Sequence, residues 1–205
     1  MLVVVGGHSR NIGKTSLVAG LIRALPEWDW TAMKITQFGH GMCSATGAAC
    51  ACSIEPQCPF AIAREEQPNH SDSGRFLAAG ARASYWVRTA AGKLANALPS
   101  IRDIHAASRN LIVESNSLVE FLRPDLYLVV LDPAQRDFKD SSRRLLQRAD
   151  ACAVIERGGR KAHWAGVERS TWEHLPQFPV RPPDYVTPEL TAFVAAKGSA
   201  IRQAK

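Results

Sequence analysis

The chain has 205 residues, 46% of them hydrophobic, and carries 25 Lys and Arg against 19 Asp and Glu, for a net charge of +6 and a pI near 9.3. That length suits one α/β domain with a full core, and no apolar stretch approaches the length of a membrane span. Its arginines are spread without interleaved aromatics, which argues against nucleic acid as a partner and for a solvated surface or a site for phosphorylated ligands.

The chain opens on Leu2-Val3-Val4-Val5, a short run suited to a buried strand. It lacks a basic leader and a cleavage site, which points to a cytoplasmic protein. Gly6-Gly7-His8-Ser9-Arg10-Asn11-Ile12-Gly13-Lys14-Thr15-Ser16 follows, and an apolar-biased helix is expected over 14–25. A strand, a glycine-punctuated turn and a helix opened by Gly-Lys-Thr form the context of a phosphate-binding P-loop. Loop N–H groups and the unpaired donors of the first helical turn would converge on the phosphates of GTP or ATP. Gly7, His8, Ser9, Arg10, Asn11, Ile12, Gly13, Lys14, Thr15 and Ser16 are therefore the candidate nucleotide-binding residues. Lys14 is expected to reach the β- and γ-phosphates as a catalytic group, and the Thr15 hydroxyl to ligate Mg²⁺. The strict pattern G-x-x-x-x-G-K-[ST] asks for glycine where His8 stands, and counting from Gly7 gives G-x₅-G-K-T. That longer loop resembles those of dethiobiotin synthetase and the cobyrinic acid amidases. Asn11 stands where those loops often carry glycine, and Asn tolerates a left-handed backbone.

A second strand is expected over 28–35, ending near Lys34, and then a long loop over 36–59 rich in Gly, Cys, Ser and Ala. Four of the five cysteines, Cys43, Cys50, Cys52 and Cys58, fall in this loop with His40 before them, spaced H-x₂-C-x₆-C-x-C-x₅-C. Clustered thiols in a cytoplasmic chain point to metal, with Zn²⁺ ahead of an Fe–S cluster, and ligation would help the loop hold a shape. Partly buried free thiols or an adventitious disulfide are the alternative. No element is assigned to the short polar stretch 61–66. Asp72 or Ser71 caps a helix over 73–80 that Gly80 ends, and a third strand covers 83–88.

Helix is expected over 91–108, broken at Pro99, followed by the buried strand Asn110–Glu114 with its terminal acid. A short helix comes next, then a strand over 125–132, a helix around 141–148 and a strand over 151–155, where Cys152 reads as core. The five prolines of 175–188 suggest an extended crossing or linker before a last helix over 188–196. Strand and helix alternate throughout, so the expected fold class is α/β, a doubly wound, mostly parallel sheet of the P-loop NTPase type. A P-loop domain over 1–175, with the Cys-rich loop as an insertion, and a C-terminal segment over 176–205 follow from that division.

Several pieces together resemble MobB, the GTP-binding accessory protein family of molybdopterin guanine dinucleotide synthesis. They are the P-loop after the first strand, Lys34 at the end of the second, Asp72-Ser73-Gly74-Arg75-Phe76-Leu77-Ala78-Ala79-Gly80-Ala81, which is similar to the family's D-S/T-x-R-x-x-x-A-G-A helix, and Leu111-Ile112-Val113-Glu114, similar to its I-V-E-G strand end. The likeness covers about residues 1–135. Ser115 replaces the family's glycine, the P-loop is one residue longer, and the Cys cluster is foreign to ordinary members. The resemblance implies a divergent, slow Mg²⁺-dependent NTPase acting as an accessory factor in cofactor biosynthesis. Its partners would be a nucleoside triphosphate and a protein of that pathway, with a homodimer left open. No N-K-x-D guanine-reading motif occurs, so GTP and ATP stay open.

Open α/β sheets place ligands at the carboxyl ends of their strands. Glu114 is thus the expected Walker-B-like acid, a catalytic group beside Mg²⁺, and Lys34, Asp72 and Arg75 are further candidates to face the nucleotide. Asp132 and Asp137 are weaker candidates for the base. Two other activities compete: a metal-handling NTPase resembling the nickel-insertion GTPases, and an ATP-dependent small-molecule kinase or ligase.

Overall fold

The computed structural model describes residues 1–38, 59–156 and 164–203, apart from the side chain of Arg202. His40, Cys43, Cys50, Cys52 and Cys58, the proposed metal ligands, lie outside the described residues.

Among the described residues eight strands form one sheet: β1 (Leu2–Gly7), β2 (Trp30–Phe38), β3 (Phe60–Arg64), β4 (Ala83–Ala90), β5 (Asn110–Glu114), β6 (Leu126–Leu131), β7 (Ala151–Ile155) and β8 (Gln177–Val180). Their order is β3-β4-β2-β5-β1-β6-β7-β8. Among them β3 alone runs antiparallel to its neighbour. The helices are α1 (Lys14–Ala24), α2 (Asp72–Ala78), α3 (Leu98–Ala106), α4 (Asp140–Leu145) and α5 (Pro188–Gln203). This is the expected α/β class, a mostly parallel sheet of the P-loop NTPase type.

Strand alternation divides the core in two. On one face Val3 and Val5 of β1, Ile112 of β5 and Leu128 and Val130 of β6 pack with α1, Phe76 of α2 and Leu190 and Val194 of α5. On the other, Leu2, Val4, Leu111, Val113 and Val129 meet Ile101 of α3 and Leu145 of α4, with Cys152 buried among them. The central strands read as unbroken apolar runs because both faces are covered. Among the described residues no helix is long and apolar enough to cross a membrane.

Five elements differ from the sequence reading. The stretch around 61–66 contributes β3, an edge strand whose alternate Ala61 and Ala63 give little hydrophobic signal. β2 starts at Trp30, because Pro26–Trp28 forms a 3₁₀ turn and Asp29 turns left-handed at φ 51°. Pro99 lies in the first turn of α3, where its missing N–H costs nothing, so it opens a helix instead of breaking one. The proline-rich stretch holds β8, whose Pro179 is tolerated because the strand is at the sheet edge, and α5 runs on to Gln203.

Candidate functional site

The loop between β1 and α1 sits at the carboxyl end of the central strand. Asn11 takes the left-handed conformation (φ 54°), and Gly13, at φ 90°, is the N-cap of α1. No side chain caps that helix and its first turn holds no acid, so the orphan N–H groups and the dipole of an 11-residue helix face the loop without a side-chain anion. Lys14 folds back over the loop, its Nζ donating to the carbonyl of Ser9 at 2.7 Å. Burial pushes the Lys14 ammonium down to about 8; Glu114 opposes that fall, while Lys34 and Lys139 add to it.

Beneath the loop lies a charged cluster built by strand register. Lys34 of β2 and Glu114 of β5 are cross-strand partners on the face that α1 and α2 cover. Glu114 is only 2% exposed. One of its oxygens accepts from Lys34 and the other from the Thr15 hydroxyl at 2.8 Å. Lys34 also reaches Asp72, the first residue of α2, at 2.9 Å. Burial pulls the Lys34 ammonium down, but the two carboxylates more than offset this and hold it above the usual lysine value. Burial likewise pushes the Asp72 carboxyl up, and Lys34, Thr15 and Arg75 together hold it below the usual aspartate value. Ser71 caps α2 by accepting from the Gly74 N–H, so Asp72 is released from capping to face Lys34. Arg75, one turn on, donates to the Ser16 hydroxyl at 3.3 Å. Lys14, Thr15, Ser16, Lys34, Asp72, Arg75 and Glu114 thus lie together at the carboxyl ends of the strands.

His8 does something different. Its ring is fully buried, stacked on Phe138 and against Trp164 with centroids 5.0 Å from each. The Asp132 N–H donates to Nε2 at 3.0 Å, so Nδ1 carries the proton and donates to the Asp137 carbonyl at 2.8 Å. Burial lowers its pKa, in keeping with this neutral tautomer. Both ring nitrogens are committed, and so is the backbone, whose N–H donates to the Val130 carbonyl at 3.3 Å and whose carbonyl accepts from the Lys139 N–H, so His8 braces the loop from behind. Asp137 also accepts from the Ser9 hydroxyl at 2.7 Å, so Asp132 and Asp137 brace the loop.

Three contributors carried no assigned role in the sequence reading. Asn116 grips the start of the loop, its Oδ1 accepting from the Gly7 N–H at 2.7 Å and its Nδ2 donating to the Gly7 carbonyl at 2.8 Å and to Ser142. Lys139 donates its backbone N–H to the His8 carbonyl at 2.9 Å. Its ammonium is lowered first by burial and then by Arg10. Tyr185, after β8, rests on Gly13. The Asn116 and Tyr185 contacts join positions more than a hundred residues apart, and no local spacing signals them. The run Ser115-Asn116-Ser117 just past a strand-end acid was the available hint for Asn116.

No protein-family profile and no curated protein sequence matches this chain. Among solved structures the fold is similar to HypB from Helicobacter pylori, determined in complex with nickel, at 13% identity over 96% of this chain and 86% of that one, with a TM-score of 0.50. LpxK from Aquifex aeolicus, determined in complex with ATP, aligns at 15% identity over 87% of this chain and 53% of its own, with a TM-score of 0.49. At such an identity the likeness to HypB shows a shared fold.

Proposed function

We propose that this protein binds a nucleoside triphosphate with Mg²⁺ at the β1–α1 loop and hydrolyses it slowly, as an accessory factor of cofactor biosynthesis similar to MobB. The observation that carries the reading is the convergence of Lys14, Thr15 and Glu114 at the mouth of an uncapped helix. The residues fit the groups they would hold. The uncapped first turn of α1 suits a phosphate, and Lys14, a partly buried cation held by one carbonyl, gains a full counter-charge when one arrives. The Thr15 hydroxyl and the Glu114 carboxylate are hard oxygen donors suited to Mg²⁺ or its water shell. Bound there, Mg²⁺ would neutralise charge on the phosphate oxygens.

Lys34 and Asp72 hold the Glu114 carboxylate in place. Lys34 donates to one Glu114 oxygen and Thr15 to the other, which fixes the orientation of the carboxylate and leaves a second lone pair on each oxygen for Mg²⁺ or its water. Slow turnover is what the likeness to MobB implies. The role in cofactor biosynthesis rests on the MobB-like motifs around Lys34, Asp72–Ala81 and Glu114.

The test is phosphate release and nucleotide affinity with and without Mg²⁺. In the wild type Mg²⁺ is expected to tighten binding by at least about tenfold, and Thr15→Ala or Glu114→Gln to remove most of that gain. Mg²⁺-independent binding in all three proteins would overturn the assignment.

A second reading, a metal-handling NTPase, is favoured by the spacing of His40, Cys43, Cys50, Cys52 and Cys58. Zinc, iron and acid-labile sulfide measured on protein purified without oxygen, beside Cys50→Ser and Cys52→Ser, decide it. About one equivalent of zinc, or iron with sulfide, lost in the variants supports it, and metal-free protein excludes it.

A further inference from the structure

The charged cluster lies on one side of α1, under β2 and β5. On the other side the chain returns from β8, at the opposite edge of the sheet, and sets Tyr185 against the phosphate loop. A Cβ on Gly13 would lie 1.9 Å from Cε1 and 2.4 Å from Cζ of that ring, so the ring is in van der Waals contact with the N-cap of α1. Position 13 needs glycine twice over, for its φ of 90° and for this approach.

The turn that presents the ring is stiffened. Arg181 pairs with Asp184 through their backbones at 3.1 Å, Pro182 and Pro183 fix φ between them, and the Arg181 guanidinium is tied to Glu156 past β7 at 2.7 Å. Val186 then packs on Gly20 of α1. Tyr185 itself is half-buried: it packs against the core that α1 and α5 share and keeps part of its surface exposed.

We propose that Tyr185 is the nucleoside platform of this site, its ring stacking on the base of a bound nucleoside triphosphate whose phosphates lie at Gly13 to Thr15. The proposal rests on the nucleotide reading above and names the part of the ligand that the reading leaves unassigned. With metal and terminal phosphate ligands gathered on the β2–β5 side, the nucleoside is left to the β8 side, and a pre-set aromatic ring is what that side offers. Stacking reads the π-face and not the hydrogen-bonding edge of a base, so it tolerates different bases. That agrees with a chain that holds no N-K-x-D motif. ATP and GTP should bind within a few-fold of each other, and both more tightly than CTP or UTP, whose rings are smaller.

The experiment is calorimetric titration of wild type, Tyr185→Ala and Tyr185→Trp with Mg·ATP and with Mg·tripolyphosphate, which has phosphates but no base. Thermal melts accompany it to confirm that each variant is folded. Tyr185→Ala is expected to weaken ATP about tenfold, the loss typical of removing one stacked ring, and to leave tripolyphosphate within about twofold. Tyr185→Trp is expected to restore ATP affinity. Equal weakening of both ligands would reduce the ring to a support for the loop and overturn the proposal. Unchanged or tighter ATP binding in Tyr185→Ala would overturn it too, by showing that the ring is away from the base or covers its place. Wild type that binds neither ligand would refute the phosphate-loop reading itself, whereas tripolyphosphate binding without any added affinity for ATP would refute the platform alone.

Discussion

Replacing Lys34 with methionine tests how the site is held together. The substitution keeps the length and most of the apolar stem but removes the charge between Glu114 and Asp72. Glu114 has a side chain 3% exposed, and Lys34 one that is 18% exposed, so solvent cannot take the place of the lost partner. Asp72 has a side chain 43% exposed and is rehydrated readily. Removing one member of a buried pair costs about 3–5 kcal/mol, because the other charge is left uncompensated. At about 2–4 °C per kcal/mol for a chain of this size, Lys34→Met should melt roughly 6–20 °C below wild type. Glu114→Gln should cost only about 1–2 kcal/mol, since Lys34 keeps Asp72 and Thr15 keeps an amide oxygen to donate to. The double variant removes both charges and should be close to Glu114→Gln alone, a coupling of about 3–5 kcal/mol. Urea denaturation followed by tryptophan fluorescence gives the four free energies. A Lys34→Met loss below about 1 kcal/mol, or strict additivity, would show an interaction of the surface kind and refute this reasoning.

Three further outcomes are expected. Lys14→Met should raise the melting temperature of the ligand-free protein by about 2–4 °C, because it removes a charge that burial disfavours, while abolishing nucleotide binding; lower stability with binding retained would contradict this. The same depressed value sets a pH window. Between about 8 and the usual 10.5 the unfolded chain holds the Lys14 proton and the folded one does not, so this group makes stability rise with pH there. Nucleotide affinity runs the other way, falling as pH rises through about 8, and calorimetry in buffers of different ionisation enthalpy should detect proton uptake on binding near pH 8. His8→Gly restores the consensus glycine yet should lose about 3–5 kcal/mol, since the ring packs on Phe138 and Trp164 and bridges Asp132 and Asp137. Denaturant titration would reveal unaltered stability if His8 were only a tolerated departure from the pattern.

The parts of this molecule that could be read from the sequence are those whose signal is local. β1, the loop and α1 follow one another within 24 residues, and an apolar run, two glycine turns and Lys-Thr announce them. Glu114 was legible as an acid ending a buried strand. That it meets Lys34 follows from β2 and β5 being neighbours in register, which spacing along the chain does not encode. The edge strands β3 and β8 were missed because each is exposed on one side and carries alanine or proline where a central strand would carry valine. His8 read as a blemish in the phosphate loop because the residues that need it, Asp132, Asp137 and Trp164, arrive from more than 120 positions away.

Whether the β1–α1 loop takes the phosphates of a nucleoside triphosphate is decided by calorimetric titration of wild type and Lys14→Ala with Mg·GTP and Mg·ATP. One site per chain, with affinity falling at least about a hundredfold in Lys14→Ala, is the predicted result. No binding to wild type, or equal binding to both proteins, would contradict the account.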